Sequence, residues 1–249
     1  MFLAQSSKYH AMKKDETIGS IVAQDIRAAH VFKQHQIDFC CGGGITLEQA
    51  CTRKGIGLEQ LIDELEAQLQ NQAEKVPDFT SWKAGFLCDY IENEHHTYVK
   101  QSLPLLIEYA DRVAKVHGET HAYLITLCKM VHALSDELIP HLTKEENVLF
   151  PYVKRLESGV ADRPVFGTVQ NPIQSMINEH DAAGDLMKAL AKLSGQFTPP
   201  DYACNTWKAY YHKLQEFEED LYLHVHLENN ILFPKAIALE KEIHEAEHH

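Results

Sequence analysis

Apolar residues recur at intervals of three and four along most of the chain, the spacing of one face of an α-helix. From Phe79 onward this period runs through four long segments separated by short polar loops. The pattern predicts four helices, at roughly residues 81–115, 120–156, 172–193 and 202–244. Because short loops make successive long helices antiparallel, we expect an up-down-up-down four-helix bundle over residues 77–249.

A smaller helical unit precedes the bundle. The apolar period traces one helical face between residues 18 and 32 and another between residues 58 and 69. Residues 71–78 are polar, contain a proline and have the composition of a linker. The fold is therefore predicted to be all-α, with a small helical N-terminal domain at residues 1–76.

Cys40 and Cys41 stand next to each other at the head of a run of three glycines, which ends any helix. Joining adjacent cysteines would strain the peptide, so a structural disulfide is disfavoured. One interpretation is that one of these two cysteines is buried as a small apolar residue, as free cysteine often is. We favour a reactive dithiol, its pKa lowered by the glycine N–H groups and by the N-terminus of a helix capped by Thr46.

An eleven-residue pattern occurs twice in the bundle, as HLTKEENVLFP at residues 141–151 and HVHLENNILFP at residues 224–234. In both copies Glu follows His by four residues, Asn follows by six, and Leu-Phe-Pro closes the run. One helical turn takes about 3.6 residues, so each His and its Glu share a face. A single pair of this kind is usually a solvated surface pair, but the repeat with its flanking apolar residues favours a metal site.

The two copies supply the imidazoles of His141 and His224 and the carboxylates of Glu145 and Glu228. Two metal ions bridged by both carboxylates and one oxygen atom would each need a further imidazole. On the third helix, His180 is the only histidine, and it shares a face with apolar residues.

On the first helix, His95 and His96 are both candidates. The apolar period upstream favours His95 and the period downstream favours His96, so the pattern leaves the choice open. Four imidazoles and two carboxylates leave an open position on each metal and suit iron, manganese or zinc, with iron favoured for a bridged pair. Ferritin-like bundles use two Glu-x-x-His motifs instead, whereas the ligand region here holds only Glu92–His95.

Composition limits the classes of molecule that the protein is expected to bind. The chain has 249 residues and a formal net charge of −13, which argues against nucleic acid or an anionic membrane surface. No apolar run approaches the roughly 20 residues that span a bilayer, and we expect no signal peptide. Six cysteines in a chain of this length are not a disulfide framework, so the expected compartment is the reducing cytosol.

The repeated motif with its Leu-Phe-Pro ending resembles hemerythrin-like domains. Asp38-Phe39-Cys40-Cys41-Gly42-Gly43 ahead of such a bundle resembles the iron-sulfur cluster repair di-iron proteins, and this resemblance covers nearly the whole chain. It implies that the first-helix ligand is the histidine eight residues before the proline of the Leu103-Pro104 pair. The implied metal ligands are His96, His141, Glu145, His180, His224 and Glu228. No role follows for His95, His226 or the C-terminal histidines.

The resemblance implies a cytoplasmic protein that restores iron-sulfur clusters damaged by nitric oxide or peroxide. It would hold two iron ions, oxo- or hydroxo-bridged, and donate iron, with Cys40 and Cys41 as iron-transfer thiols. Its partners would be damaged or apo iron-sulfur proteins and small ligands such as NO or O₂, and a homodimer is one candidate assembly.

Two alternatives stay open: reduction of nitric oxide or peroxide at the di-iron centre, and reversible binding or sensing of O₂ or NO. A pure carrier would not need the cysteine pair. A reductase would need an outside electron donor, because the chain has no dinucleotide-binding fingerprint. Whether the protein is a classical enzyme is left undecided.

Overall fold

A computed structural model describes residues 12–70, 76–159 and 164–247. The chain divides into two compact units, Met1–Thr80 and Ser81–His249, which are described separately below. In the described ranges the regular structure is helical, with one isolated bridge between Thr17 and Thr46. The prediction of an all-α chain is confirmed. Within the same ranges, no helix is both long and apolar enough to cross a bilayer.

The described residues of the N-terminal unit form the α-helices α1 Ile18–Gln24, α2 Ala28–Gln34, α3 Leu47–Lys54 and α4 Leu58–Gln70. Thr46 caps α3 in a reciprocal capping box with Gln49. The apolar face predicted over residues 18–32 is shared by two helices, because Asp25 is extended at the end of α1. Its carboxylate accepts the backbone N–H of Arg27 at 3.1 Å, so the turn competes with a continuous helix.

Each of three predicted long helices of the second unit is built from two α-helices joined by a π-helical turn. The α-helices are α5 Ala84–Tyr90, α6 Thr97–His117, α7 Tyr123–Lys144, α8 Phe150–Glu157, α9 Gln170–Leu193, α10 Asn205–Leu227 and α11 Phe233–Glu247. The π turns are Ile91–His96, Glu145–Leu149 and Glu228–Leu232. The third predicted helix corresponds to α9, which runs without such a turn.

Two of the prolines explain where two π turns end. Pro151 and Pro234 are the second residues of α8 and α11, directly after the turns. Proline has no N–H to donate to the carbonyl four residues earlier, and the widened turn accommodates this loss. Pro104 and Pro140, by contrast, lie inside α6 and α7, which continue through them.

The bundle closes as a ring in which α6 packs on α7 and α10, while α9 packs on α7 and α10. Its interior is lined by fully buried aromatic and aliphatic side chains, such as Trp207 and Phe217 on α10. Each such side chain contributes on the order of 2 kcal/mol through burial. Phe150 and Phe233, which follow two of the π turns, are also fully buried. These contacts hold the π turns around one interior point.

Candidate metal centre

Six buried side chains meet where the π turns face each other, none more than 2% exposed. They form two groups whose potential ligand atoms all lie within 4.8 Å of one another. One group is His96, Glu145, His224 and Glu228, and the other is His141, Glu145, His180 and Glu228. Both glutamates belong to both groups. The structure thus brings together all six residues predicted from the sequence.

The two helical pairs have nearly the same internal geometry. Nε2 of His141 lies 3.3 Å from Oε2 of Glu145, and Nε2 of His224 lies 3.2 Å from Oε1 of Glu228. Each glutamate is also the first residue of a π turn. The i,i+4 spacing therefore brings each pair together locally, as the sequence predicted.

The other two histidines complete the cluster from neighbouring helices. Nε2 of His96 lies 3.4 Å from Glu145 and 3.8 Å from Glu228. Nε2 of His180 lies 3.1 Å from Glu228 and 4.0 Å from Glu145. Every histidine thus presents Nε2 to the two carboxylates.

Three of the rings are oriented by outer partners that the sequence analysis missed. Nδ1 of His96 lies 2.9 Å from Glu146, and Nδ1 of His141 lies 3.0 Å from Glu179. A ring that donates Nδ1–H to an oxygen keeps its Nε2 lone pair for the interior. Each of these partners is a neighbour in sequence of a predicted ligand, and the same holds for Asn229, the partner of His180. This adjacency is the sequence signal that could have identified them.

His180 follows the same rule through a neutral partner, because its Nδ1 lies 2.9 Å from Oδ1 of Asn229. The two carboxylate partners are themselves paired with lysines. Lys100 donates to Glu146 at 2.6 Å, and Lys144 donates to Glu179 at 2.6 Å. A His–Glu–Lys chain therefore runs from the cluster toward solvent at two places.

His224 has no such partner. Its Nδ1 is buried without a hydrogen bond among the described residues. Its neighbours are instead imidazoles: His95 stacks on it with centroids 5.6 Å apart, and His96 meets it edge-on at 4.9 Å.

The two adjacent histidines of the first helix have different positions. His96 joins the cluster, whereas Nδ1 of His95 lies 2.8 Å from Asp220, and His95 belongs to neither ligand group. His226 is buried, and its Nδ1 lies 3.1 Å from the amide nitrogen of Asn230. It is also outside both groups.

The interior of the cluster is short of hydrogen-bond partners. Nε2 of His96, both oxygens of Glu145 and Oε2 of Glu228 are buried without a hydrogen bond in the described structure. A buried polar group left unsatisfied costs about 1–3 kcal/mol, and these atoms converge on one point, so a shared cation would satisfy several of them at once. Imidazole and carboxylate donors suit a transition metal, and the cluster fits metal binding.

The carboxylates dominate the electrostatics of the cluster. Burial would lower the pKa of His96 and His141, but the adjacent glutamates outweigh it and raise these values to about 10 and about 9. Burial does lower the pKa of His224, helped by the charges of other histidines and only partly opposed by Glu228. Burial would raise the pKa of Glu228, yet His224, His180 and His96 hold it well below its usual range.

A cavity of about 330 Å³ lies beside the cluster. It reaches three predicted ligands, His141, His180 and His224. Its other polar lining residues are Asp136, Glu137, Lys144 and Glu179. Small molecules or a cation could therefore approach this side of the cluster past an acidic wall.

The environment of Cys40 corrects one expectation. Cys40 was expected to belong to a reactive dithiol of lowered pKa, but it is only 3% exposed. Its Sγ lies 3.9 Å from Sγ of Cys41 and 3.2 Å from Oδ1 of Asp38. The contact with Cys41, burial and the Asp38 charge raise the pKa of Cys40 well above its usual value, so the predicted lowering is wrong for this thiol. Cys41 is half-buried.

Four helices that enclose two carboxylates and four imidazoles define a hemerythrin-like cation-binding bundle. In agreement, the family described as "Hemerythrin HHE cation binding domain" matches residues 89–236. The family described as "Domain of Unknown function (DUF542)", ScdA_N, matches residues 14–69.

Curated relatives extend the likeness to both units. The iron-sulfur cluster repair protein YtfE of Yersinia pestis (strain Pestoides F) is 36% identical over 224 residues, covering 90% of this chain and 97% of the relative. The protein of the same name from Yersinia pseudotuberculosis serotype O:3 (strain YPIII) is 35% identical over the same shares. The chain belongs to the family of the iron-sulfur cluster repair proteins, as the resemblance predicted.

Proposed function

We propose that this chain is a di-iron protein that repairs iron-sulfur clusters damaged by oxidative or nitrosative stress, and that it does so by donating iron. The observation that carries the proposal is the sharing of Glu145 and Glu228 by two four-residue ligand groups. Relatives that span both units are named iron-sulfur cluster repair proteins, which supports the same function.

The proposed ligands follow the two groups. His96 and His224 would hold one iron, His141 and His180 would hold the other, and both glutamates would bridge them with an oxo or hydroxo group. When bound, iron supplies redox chemistry and open coordination positions. The protein's own contribution is to aim four Nε2 atoms inward and to exclude bulk water from the carboxylates.

Iron is also the cargo in this proposal. The acidic wall of the cavity, with Asp136, Glu137 and Glu179, lies next to His141 and His180. These carboxylates would bind ferrous iron more weakly than the buried cluster, which adds imidazole ligands. Iron could therefore leave the cluster stepwise through this side of the cavity. The lysine partner of Glu179 is about half exposed, which leaves that carboxylate able to change partners.

Cys40 and Cys41 are the proposed iron-transfer thiols. Cys41 is the more exposed and would meet the metal first, while the raised pKa of Cys40 keeps that sulfur protonated until a cation displaces its proton. All six cysteines carry thiols and not disulfides. The reducing cytosol would preserve them as thiols.

Iron transfer to an apo iron-sulfur protein tests the function. The iron-loaded protein is mixed with the apo acceptor, sulfide and a thiol reductant, and return of cluster absorbance is followed. We expect the parent protein to restore the cluster faster than the same concentration of ferrous iron supplied as a complex with a weak chelator. An equal rate would contradict donation.

The Cys40→Ala/Cys41→Ala variant tests the thiols separately. We expect an unchanged di-iron spectrum and a lost transfer rate, with Cys204→Ser as a matched control because Cys204 is an exposed thiol of the bundle unit. Transfer by the double variant at the parent rate would show that the bundle acts alone.

The cavity beside the cluster favours a second candidate function, reduction of nitric oxide or peroxide. Consumption of either molecule by the iron-loaded protein, with a chemical electron donor and catalytic turnover, would support it. Stoichiometric binding without turnover would exclude it.

A further inference from the structure

Asp111, Cys128 and His132 form a second group of metal-ligating side chains, on the surface of the bundle unit. Sγ of Cys128 lies 3.2 Å from Oδ1 of Asp111, and Nε2 of His132 lies 2.9 Å from the same oxygen. The three potential ligand atoms all lie within 4.8 Å of one another. A thiol, an imidazole and a carboxylate thus converge on one point.

Helix geometry explains the convergence. Cys128 and His132 are four residues apart on α7 and share a face. Asp111 faces them from α6, the antiparallel neighbour joined to α7 by a short loop. Asp111 follows His96 by fifteen residues, or roughly 22 Å along the helix at 1.5 Å per residue. The group is therefore separate from the buried centre.

The charge pattern differs from that of an ordinary surface acid. Among the described residues, the hydrogen bonds and ion pairs of Asp111 go to Cys128 and His132, and neither lysine nor arginine pairs with it. The side chains of Asp111 and His132 are 57% and 46% exposed, so solvent and ions reach them. A carboxylate that a cation could approach thus stands beside two softer donors.

We propose that Asp111, Cys128 and His132 bind one divalent transition-metal ion of the zinc class, with water in the fourth position. Thiolate, imidazole and carboxylate are the donors that zinc takes in tetrahedral sites. Tetrahedral bonds of the usual lengths require ligand atoms roughly 3.3–3.6 Å apart. The two contacts of Asp111, 3.2 Å to Cys128 and 2.9 Å to His132, are slightly shorter, so Asp111 needs to move away from each by only a few tenths of an ångström. The sulfur and the imidazole nitrogen lie within 4.8 Å of each other.

Binding exchanges a proton for the metal. The S–H bond of Cys128 breaks, a metal–sulfur bond forms, and the proton passes to solvent without any change of oxidation state. Burial and the neighbouring Asp111 raise the pKa of Cys128 to about 11, so near neutral pH this proton is present to be released. The affinity should therefore increase with pH.

Cobalt(II) is the probe, because a cobalt–thiolate bond absorbs in the near ultraviolet and the six residues of the buried centre include no thiol. The full-length, iron-loaded protein is titrated with cobalt, and difference spectra are recorded. We expect a thiolate band that zinc displaces and that excess magnesium does not. In Cys40→Ala/Cys41→Ala, where the proposed transfer thiols are absent, one cobalt per chain should saturate this band.

The variants Cys128→Ser, His132→Gln and Asp111→Asn should each weaken zinc binding at least roughly tenfold, as expected for loss of a metal contact. Cys204→Ser is the matched control: its sulfur lies 3.2 Å from Nε2 of His117 but belongs to no three-donor group in the described chain. It should retain the band, as should Cys40→Ala/Cys41→Ala. Unchanged iron content verifies that each variant is folded.

Absence of a thiolate band in the parent would overturn the proposal. So would a band that disappears in Cys40→Ala/Cys41→Ala, or one that survives when Cys128→Ser is added to that double variant. If Cys128→Ser fails to fold, Asp111→Asn decides alone, because Asp111 is exposed: parental zinc affinity in that variant would overturn the three-ligand site.

Discussion

The motif copies at residues 141–151 and 224–234 hold their His and Glu at 3.3 Å and 3.2 Å, and each glutamate starts a π turn. Outside the pair they differ. Nδ1 of His141 meets the carboxylate of Glu179, whereas Nδ1 of His224 is buried without a hydrogen bond in the described structure. The pKa of His141 is raised to about 9, and that of His224 is lowered.

Local helix geometry and the packing of other helices determine different properties of the two motif copies. The His–Glu distance is the same in both copies because one turn of helix sets it. Ring orientation and charge differ because other helices supply the neighbours: a glutamate from α9 for the first copy, and the imidazoles of His95 and His96 for the second. Identical local patterns can therefore produce unequal ligands.

The largest expected effect is a loss of iron, and it should be the same for the glutamate of either motif copy. Glu145→Ala and Glu228→Ala should each lose iron from both positions, because each carboxylate belongs to both ligand groups. A single histidine variant, His141→Ala or His224→Ala, should lose iron from one. Iron per chain in the purified proteins measures this, with the exposed Glu108→Ala as control. Full iron retention in both glutamate variants would eliminate the bridging assignment.

The next largest effect should distinguish His95 from His96, the two histidines whose rings contact His224 of the second copy. His96→Ala should lose the iron held with His224, because only His96 belongs to that ligand group. His95→Ala should keep both irons and alter the spectrum slightly, since His95 stacks on His224. The reverse result, with iron lost only from His95→Ala, would show that the family-based choice of His96 is wrong.

A smaller effect should fall on the first copy alone. Glu179→Ala removes the partner that orients His141, and loss of such an outer partner typically weakens metal binding about 10–100-fold. Chelator competition should show one iron that dissociates faster and one that is unchanged. Lys144→Ala, which leaves the carboxylate in place, is the matched control and should have a much smaller effect. Equal loss from both positions would mean that the copies are not independent.

An effect confined to the iron-free protein is the dependence of its stability on pH. His141 has a folded pKa of about 9, above its unfolded value near 6.5, so its stabilising contribution is complete below pH 6.5 and is lost as pH rises through 9. His96 acts in the same direction. Urea unfolding from pH 6 to 10 should show falling stability, by about 3–4 kcal/mol per histidine.

The two copies should respond differently in that titration. His141→Gln should make the alkaline loss of stability shallower, whereas His224→Gln should leave it unchanged because the pKa of His224 is lowered. Iron-loaded protein should show little of this slope, since metal replaces the protons. A parent slope retained in His141→Gln would contradict the raised pKa.

Three features of the N-terminal unit show what sequence patterns can and cannot predict. Thr46 was predicted to cap a helix and does so, because a cap depends on residues within one turn. The Cys40 thiol was predicted to be activated but is buried beside Asp38, because its pKa depends on what covers it. The apolar face over residues 18–32 was correct in period, but Asp25 divides it into two helices.

The sequence by itself determined the helical class and the repeated His–Glu pairs, because helix periodicity and i,i+4 spacing are local properties. It also singled out His180 as the one histidine of the third helix. The apolar period left His95 and His96 open because both are buried on one π turn, and the family resemblance implied His96. The tertiary structure places Nε2 of His96 beside the carboxylates, 3.4 Å from Glu145. It alone assigned Glu146, Glu179 and Asn229 to the outer nitrogens and joined Asp111 to Cys128 and His132. These contacts link side chains on different helices, and the packing of the helices brings them within bonding distance.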